Sequence, residues 1–174
     1  MDFLQLAKTR YSERKYLDKP VEKEKLDKIL EAGRVAPTAA NLQPQRIIVI
    51  QEETGMEKVK KAANTFGAPL VLIVCADHDQ AWKRPLDQLN TTHIDASIVT
   101  DHMMLEATGL GLGSVWVCYF KADVLKKEFD IPESVEPVNI LVVGYPAGEG
   151  ASPDRHDKMR KPLKQLVSYE KYDF

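Results

Sequence analysis

Two arginines and a serine alternate near the start of the chain, in the segment Arg10-Tyr11-Ser12-Glu13-Arg14. An arginine is always charged and offers five N–H donors in a planar fork that suits an oxyanion, and a serine hydroxyl can donate one more hydrogen bond. In an extended segment alternate residues point the same way, so Arg10, Ser12 and Arg14 could reach one ligand. The pattern is typical of a phosphate site, but also of a solvated connector between helices, so both interpretations stay open.

A second pair of cations, Lys158 and Arg160, alternates in the same way near the far end of the sequence. Alone, the pair predicts only a solvated basic tail. If the fold brings it to Arg10, Ser12 and Arg14, the cations could neutralise a phosphate dianion from two sides.

A loop predicted at residues 37–45 carries groups suited to a planar ligand. Pro37 and Pro44 bracket it, and Asn41 and Gln43 offer amide donors and acceptors that match a ring edge with alternating carbonyl and N–H groups. The small residues between them would let such a ring approach. A surface turn is the alternative interpretation, and the loop alone favours it.

Several familiar chemistries are not supported. The glycine-rich stretch at residues 109–113 is followed by Ser114 and runs from a predicted helix into a predicted strand, whereas a dinucleotide fingerprint runs from strand into helix. No Gly-x-Ser-x-Gly nucleophile motif is present. No two histidines are spaced four apart, so we expect no metal site. The histidines are His78, His93, His102 and His156.

Length and composition indicate one globular domain over residues 1–174, with 44% hydrophobic and 29% charged residues. The net charge of −2 gives no broad basic field, so we expect no nucleic-acid partner. The longest apolar run, residues 69–76, is too short to span a bilayer, and residues 1–6 lack the features of a secretory signal. We therefore expect a cytoplasmic protein without a membrane partner, in which Cys75 and Cys118 are free thiols.

The spacing of apolar residues predicts an α+β protein with a central sheet and helices around it. A first helix capped by Asp2 should turn Phe3, Leu4, Leu6 and Ala7 toward the core, and a second should start at Asp18-Lys19-Pro20 and end before Pro37. Further helices are expected at 54–64, 93–110 and 122–129, a loop or lid at 82–92, and strands at 46–51, 70–76, 114–119 and 138–143. The helix at 93–110 is apolar on most faces, which predicts a central position and often a subunit partner.

Four motifs in this order make the chain resemble the FMN-dependent nitroreductase family, in its short-chain branch, over nearly its full length. They are the segment 10–14, the stretch Ala36-Pro37-Thr38-Ala39-Ala40-Asn41-Leu42-Gln43-Pro44, the stretch Leu110-Gly111-Leu112-Gly113-Ser114-Val115-Trp116-Val117, and Lys158-Met159-Arg160. The resemblance implies an α+β homodimer with a mixed, mainly antiparallel sheet flanked by helices, and with FMN at the subunit interface.

The resemblance also implies roles for individual residues. Arg10, Ser12, Lys158 and Arg160 would hold the ribityl phosphate, beside Tyr11 in the same cofactor-binding segment, and Arg14 would approach the N1/O2 edge of the flavin. From the partner subunit, Pro37, Thr38, Ala39 and Asn41 would line the isoalloxazine, with Gln43 supporting their loop. Trp116, Val117 and Cys118 would pass beside the ring, with a backbone N–H near Cys118 or Tyr119 reaching N5 or O4.

The implied activity is ping-pong hydride transfer through flavin N5, from NAD(P)H to a small acceptor such as a nitroaromatic or a quinone. The protein would supply position and field while the cofactor performs the hydride step. A non-catalytic flavin-binding or flavin-delivery protein is the main alternative. Flavin-cleaving and dehalogenating relatives share the motifs, and an enzyme that binds a substrate phosphate with the same cations also stays open.

Two positions depart from the family's pattern. Relatives usually have glycine where Ala40 stands and often an aromatic residue where Gln45 stands. If position 40 needs a positive φ, alanine there would cost about 1 kcal/mol. The missing aromatic residue would widen the substrate side, so both departures bear on substrate preference more than on FMN binding.

Overall fold

A four-stranded antiparallel sheet forms the centre of the computed structural model, which describes residues 2–174. Its strands are β1 (Gln45–Ile50), β2 (Leu70–Asp77), β3 (Gly113–Val117) and β4 (Val135–Gly144), in the spatial order β1-β2-β4-β3. An isolated parallel bridge joins Ser12 to Ser114 at the β3 edge, so the expected mixed, mainly antiparallel sheet is confirmed.

In the part of the chain that the structure describes, six helices lie around this sheet, and the α+β class is confirmed. They are α1 (Phe3–Thr9), α2 (Lys23–Val35), α3 (Glu53–Lys60), α4 (Thr92–Gly109), α5 (Ala122–Glu128) and α6 (Arg155–Met159). Two short 3₁₀ turns lie at Ala39–Asn41 and Leu163–Gln165. Within residues 2–174, no helix combines the length and the hydropathy needed to cross a bilayer.

The central strand β2 separates two apolar cores, because alternate residues of a strand point to opposite faces. All eight of its residues are buried. Leu70, Leu72 and Val74 pack with α2 and α4, whereas Val71 and Ile73 pack with α3 and α5. One sheet therefore supports both halves of the core.

Helix α4 is central, as its apolar pattern predicts. Ala96, Val99, Met103 and Ala107 are fully buried in the core that it shares with α2. Gly33 of α2 permits this close packing, because a Cβ at that position would lie 2.9 Å from Met103 Cγ.

Two expectations about the first helices are wrong. Asp2 caps α1 by accepting a hydrogen bond from the Gln5 N–H, but Phe3 and Leu4 are 70% and 64% exposed rather than turned into the core. The core of this chain is already filled by α2 and α4, and the seven-residue α1 lies outside it. Helix α2 begins at Lys23 because the backbone at Glu22 is still extended, and residues 18–22 are not helical.

Strand β4 begins at Val135, three residues earlier than its apolar pattern predicts. Pro137 cannot donate to a ladder, and it lies opposite Cys75 where the β2–β4 register shifts. The strand continues past this irregularity because residues 135–137 still pair with the end of β2. Strand β3 ends at Val117, so Cys118 and Tyr119 leave the sheet as a loop.

Candidate functional site

The clamp segment, residues 10–14, is shaped by the buried carboxylate of Glu13 and joined to β3 by the backbone of Ser12 and Glu13. One oxygen of Glu13 accepts the backbone N–H groups of Arg14 and Lys15, each at 2.8 Å, and the other accepts the Tyr11 hydroxyl at 2.6 Å. The Glu13 N–H donates to the Ser114 carbonyl at 2.9 Å. An acidic residue inside a basic segment was the signal for this role, which sequence reasoning missed.

Ionisation of the clamp segment follows from these contacts. Burial alone would raise the pKa of Glu13, but hydrogen bonds from the Tyr11 hydroxyl and from the Lys15 and Arg14 N–H groups hold the pKa below its ordinary value of 4.5. Burial, and then the bond to Glu13, raise the pKa of Tyr11 to about 12. At neutral pH the segment is therefore held by a carboxylate that accepts and a neutral phenol that donates.

A cationic cavity, here called the cradle, joins the two ends of the chain. It has a volume of about 260 Å³. Its lining residues are Arg10, Tyr11, Ser12, Arg155, His156, Met159 and Arg160. Among the described residues that line the cradle, none is acidic.

Positive charge is concentrated in the cradle. Burial lowers the pKa of Arg10, and the charges of Arg155 and Arg160 lower it further, against the opposing effect of Asp101. Such a cluster favours an anion, because an anion would relieve the mutual repulsion of the guanidinium groups. The structure thus brings Arg10, Ser12 and Arg160 together, and a phosphate fits the donors present.

Arg155 is the cradle residue that sequence reasoning missed. Its guanidinium donates to the carbonyl groups of Lys8 and Ser152, at 3.2 and 2.8 Å, and also to that of Arg10. Arg155 therefore ties α6 to the N-terminal segment. Lys158, which was predicted to act beside Arg160, does not line the cradle.

Arg14 lies outside the cradle, at the other end of the clamp segment. Its guanidinium is 5.9 Å from the centroid of the Phe66 ring, and its Nη1 donates to the Ser12 carbonyl at 3.3 Å. Phe66 in turn lines a second cavity. The clamp segment therefore begins at the cradle and ends beside a residue that lines the second cavity.

The second cavity, here called the lysine-lined groove, is open and has a volume of about 810 Å³. It is lined by residues 60–67 and by Val117, Tyr119 and Lys121. Tyr119 is 95% exposed and Cys118 is an exposed free thiol. On β3, the buried Trp116 Nε1 has no hydrogen-bond partner within residues 2–174. Of the residues that the resemblance places beside a flavin ring, Val117 lines this groove, and Cys118 lies in the chain between Val117 and Tyr119, which also lines it.

The loop at residues 37–45 has an uncommon backbone. Ala40, Asn41 and Gln43 all have positive φ, at 49°, 56° and 52°. Position 40 therefore does need a positive φ, which costs about 1 kcal/mol for an alanine. Thr38 Oγ1 accepts the Gln43 N–H at 3.1 Å, and the Gln43 side chain donates to the Asn41 carbonyl at 3.1 Å.

This loop lines neither of the two cavities. No residue from 37 to 45 is among the described residues that line the cradle or the lysine-lined groove. Gln45, at the start of β1, has a buried Oε1 without a hydrogen-bond partner in the described part of the chain. Within this chain the loop therefore adds no residue to either cavity, and its expected place over the flavin of a partner subunit stays a prediction.

Histidines and carboxylates do not add a metal centre to this arrangement. His78 and His93 both contact Glu136 Oε2, at 2.7 and 3.1 Å. Over residues 2–174, no group of three or more His, Cys, Asp or Glu side chains is placed to hold a metal ion.

The fold and the two cavities define a class of protein: an α+β domain whose cationic cradle and open groove suit a phosphate attached to a planar apolar group. Comparison with known proteins identifies the family. The chain belongs to the nitroreductase family, whose model matches residues 7–66 and 56–145.

Similar proteins support this membership. A nitroreductase family protein of Clostridium difficile 630, solved as a crystal structure, is 56% identical with a TM-score of 0.97, over 99% of this chain and 100% of that one. An FMN-dependent nitroreductase of Clostridium difficile R20291 is 27% identical with a TM-score of 0.79, over 98% and 100% of the two chains. The FMN reductase [NAD(P)H] of Bacillus subtilis is 30% identical over 91% of this chain and 70% of its own length. The resemblance read from the motifs is confirmed.

Proposed function

We propose that the protein is an NAD(P)H-dependent flavin oxidoreductase that binds FMN and reduces small acceptors such as nitroaromatics or quinones. The observation that carries this proposal is the convergence of Arg10 and Arg160, from opposite ends of the chain, in a cradle beside the end of β3. The family and the printed names of similar proteins support the same activity.

In this proposal the cradle holds the phosphate of FMN. Arg10 and Arg160 supply charged donors, and the Ser12 hydroxyl supplies a neutral one. Arg155 keeps the two ends of the chain together through its bonds to backbone carbonyls. Lys158 contributes a nearby positive charge rather than a cradle contact.

The lysine-lined groove and β3 position the flavin ring. Trp116, Val117 and Cys118 would lie beside it, and Arg14 would supply a fixed positive charge that favours the negative charge developing on reduction. When bound, FMN supplies hydride transfer at N5, from NAD(P)H to the second substrate. Because both substrates would use one open site in turn, we expect ping-pong kinetics.

A homodimer completes the site in this proposal. Pro37, Thr38, Ala39 and Asn41 would line the ring of the neighbouring subunit, since their loop lines neither of the two cavities. The exposed apolar side chains of α1 and of the C-terminal tail, among them Phe3, Leu166 and Tyr172, would supply contact surface. Residues 1–174 would act as one FMN-binding domain, since both cores pack on one sheet. The cytoplasm, which holds NAD(P)H and keeps thiols reduced, is the proposed location.

Absorbance spectroscopy of the purified protein, followed by NADH and NADPH titration, tests the proposal. We expect a flavin spectrum, oxidation of NAD(P)H, and parallel lines in double-reciprocal plots when the acceptor concentration is varied. A colourless protein that does not bind added FMN would contradict the proposal. FMN binding without NAD(P)H oxidation above the rate of free flavin would identify a flavin-delivery protein instead.

A further inference from the structure

We propose that Asp95 is a positioning residue that holds the loop at residues 37–45 in the shape needed to cover the flavin of the partner subunit. This inference rests on the proposed function. It assigns a role in the site to a residue of helix α4 that lines neither the cradle nor the lysine-lined groove.

The side chain of Asp95 is 1% exposed and uses both of its oxygens. Its Oδ1 accepts the Ala39 N–H at 2.9 Å, which joins residues 56 positions apart in the sequence. Its Oδ2 accepts the Thr91 hydroxyl at 2.8 Å. A buried carboxylate that lacks one of these donors would be strongly destabilised, so the bond to Ala39 is a fixed feature of the fold.

The loop depends on an external anchor because its own backbone is strained. Ala40, Asn41 and Gln43 are all in the left-handed region, and such residues persist only where their surroundings hold them. Ala39 opens the 3₁₀ turn at the point where this strained stretch begins. The bond to Asp95 therefore holds the residue at which the strained stretch begins, and loss of this bond would let the whole loop relax.

The anchor itself is rigid. Asp95 lies in the first turn of α4, where the helix dipole favours a negative charge. Thr91 also bonds to the Trp82 carbonyl through its backbone N–H at 3.0 Å, which joins the anchor to the segment before α4. The central helix thus anchors the start of the loop, in addition to the hydrogen bonds within the loop itself.

Substitutions separate this role from simple stabilisation. Asp95→Ala removes the acceptor, and we expect it to lower kcat/KM and FMN affinity by about tenfold or more. Asp95→Asn keeps one carbonyl oxygen for Ala39, and its amide can donate to Thr91, so we expect most of the activity to return. The matched control is Thr100→Val in the same helix. It removes the bond from Thr100 to Asn139 at 2.9 Å and leaves the contacts of the loop intact. It should lower the melting temperature and leave kcat/KM and FMN affinity unchanged.

Mixed dimers test whether the loop acts on the neighbouring subunit. One subunit carries Asp95→Ala, and the other, with a different affinity tag, carries Arg10→Ala and Arg160→Ala. If the loop serves the partner's flavin, one of the two sites has an intact cradle and an intact loop, and the mixed dimer regains about half of the wild-type activity. If the loop serves its own flavin, both sites keep a defect and nothing is regained.

The outcomes separate the two proposals. A wild-type protein without bound FMN or NAD(P)H oxidation would overturn the proposed function. An active wild-type protein in which Asp95→Ala behaves like Thr100→Val would overturn the inference about Asp95 alone. Mixed dimers that regain nothing would overturn the placement of the loop over the partner's flavin, and with it the stated role of Asp95, but not the flavin-dependent activity.

Discussion

Two buried side chains determine the shape of the site, whereas other residues supply its charge. Glu13 and Asp95 are both buried carboxylates whose oxygens accept backbone N–H groups, and each holds one of the segments that the motifs single out. The arginines supply the charge for a phosphate, but the carboxylates decide where that charge lies. Removing either carboxylate should therefore affect the site by displacing the segment that the carboxylate holds.

Acid sensitivity should trace to Glu13. The pKa of Glu13 in the folded protein lies below its ordinary value of 4.5, so the unfolded state binds the proton more readily. The stabilisation from Glu13 is therefore present above about pH 4.5 and is lost as the pH falls through the folded pKa. We expect Glu13→Gln to lower the free energy of unfolding by about 1 kcal/mol at neutral pH. Urea unfolding between pH 3 and 7 should show this difference narrowing at the acid end, and a constant difference would contradict the assignment.

Replacing the strained Ala40 should stabilise the protein. At Ala40, where φ is 49°, glycine has no Cβ to oppose the left-handed conformation. We expect Ala40→Gly to raise the free energy of unfolding by up to about 1 kcal/mol, measured by urea denaturation. Ala39→Gly serves as the control, because Ala39 has no positive φ, and it should not stabilise the protein.

At the scale of elements, the site depends on how closely the clamp segment approaches β3. Ser12 bridges to Ser114, and Glu13 bonds to the carbonyl of the same residue. Gly113 makes room for this contact. The strand that was expected to pass beside the flavin ring therefore also supports the residues proposed to bind the phosphate.

Adding a methyl group at Gly113 should disturb the cradle. A Cβ there would lie 2.8 Å from Glu13 Cγ, so the clamp segment must shift. We expect Gly113→Ala to weaken FMN binding about tenfold by fluorescence titration, because small displacements of positioned donors are costly. Gly148→Ala, whose added Cβ would meet nothing within 4 Å, is the control. Equal affinities for the two variants would contradict this role of Gly113.

At the scale of the whole molecule, apolar residues are exposed where the chain ends. Phe3 and Leu4 on α1, and Leu163, Leu166 and Tyr172 near the C-terminus, lie on the surface of the protomer. Leu4 and Leu163 line one shared cavity. Large exposed apolar patches mark interaction surfaces, which is consistent with the proposed homodimer.

A charge on α1 should weaken that dimer. Phe3→Glu removes apolar surface and adds one negative charge, whereas Gln5→Glu adds the same charge to the same helix without removing apolar surface. We expect the dimer dissociation constant to rise at least about tenfold for Phe3→Glu and little for Gln5→Glu, measured by sedimentation velocity. Wild-type protein that is monomeric at all concentrations would contradict the proposed homodimer.

Local patterns predicted most of the elements. The apolar run at residues 70–76 and the helical stripe at 93–110 match β2 and α4 within one or two residues, because burial of these segments follows the period of the local structure. The exposure of Phe3 and Leu4 could not be predicted, because an amphipathic helix shows which residues need a partner but not whether that partner belongs to the same chain.

The motifs predicted which chemical groups this protein offers to a phosphate and a planar ring, since residue types and their spacing are local properties. Folding selected among them: Arg155 entered the cradle although it lies 145 residues from Arg10, and Lys158 did not. The roles of Glu13 and Asp95 likewise arose from backbone N–H groups that every residue carries. Such contacts leave no mark on composition or periodicity, because they form only when distant segments pack together.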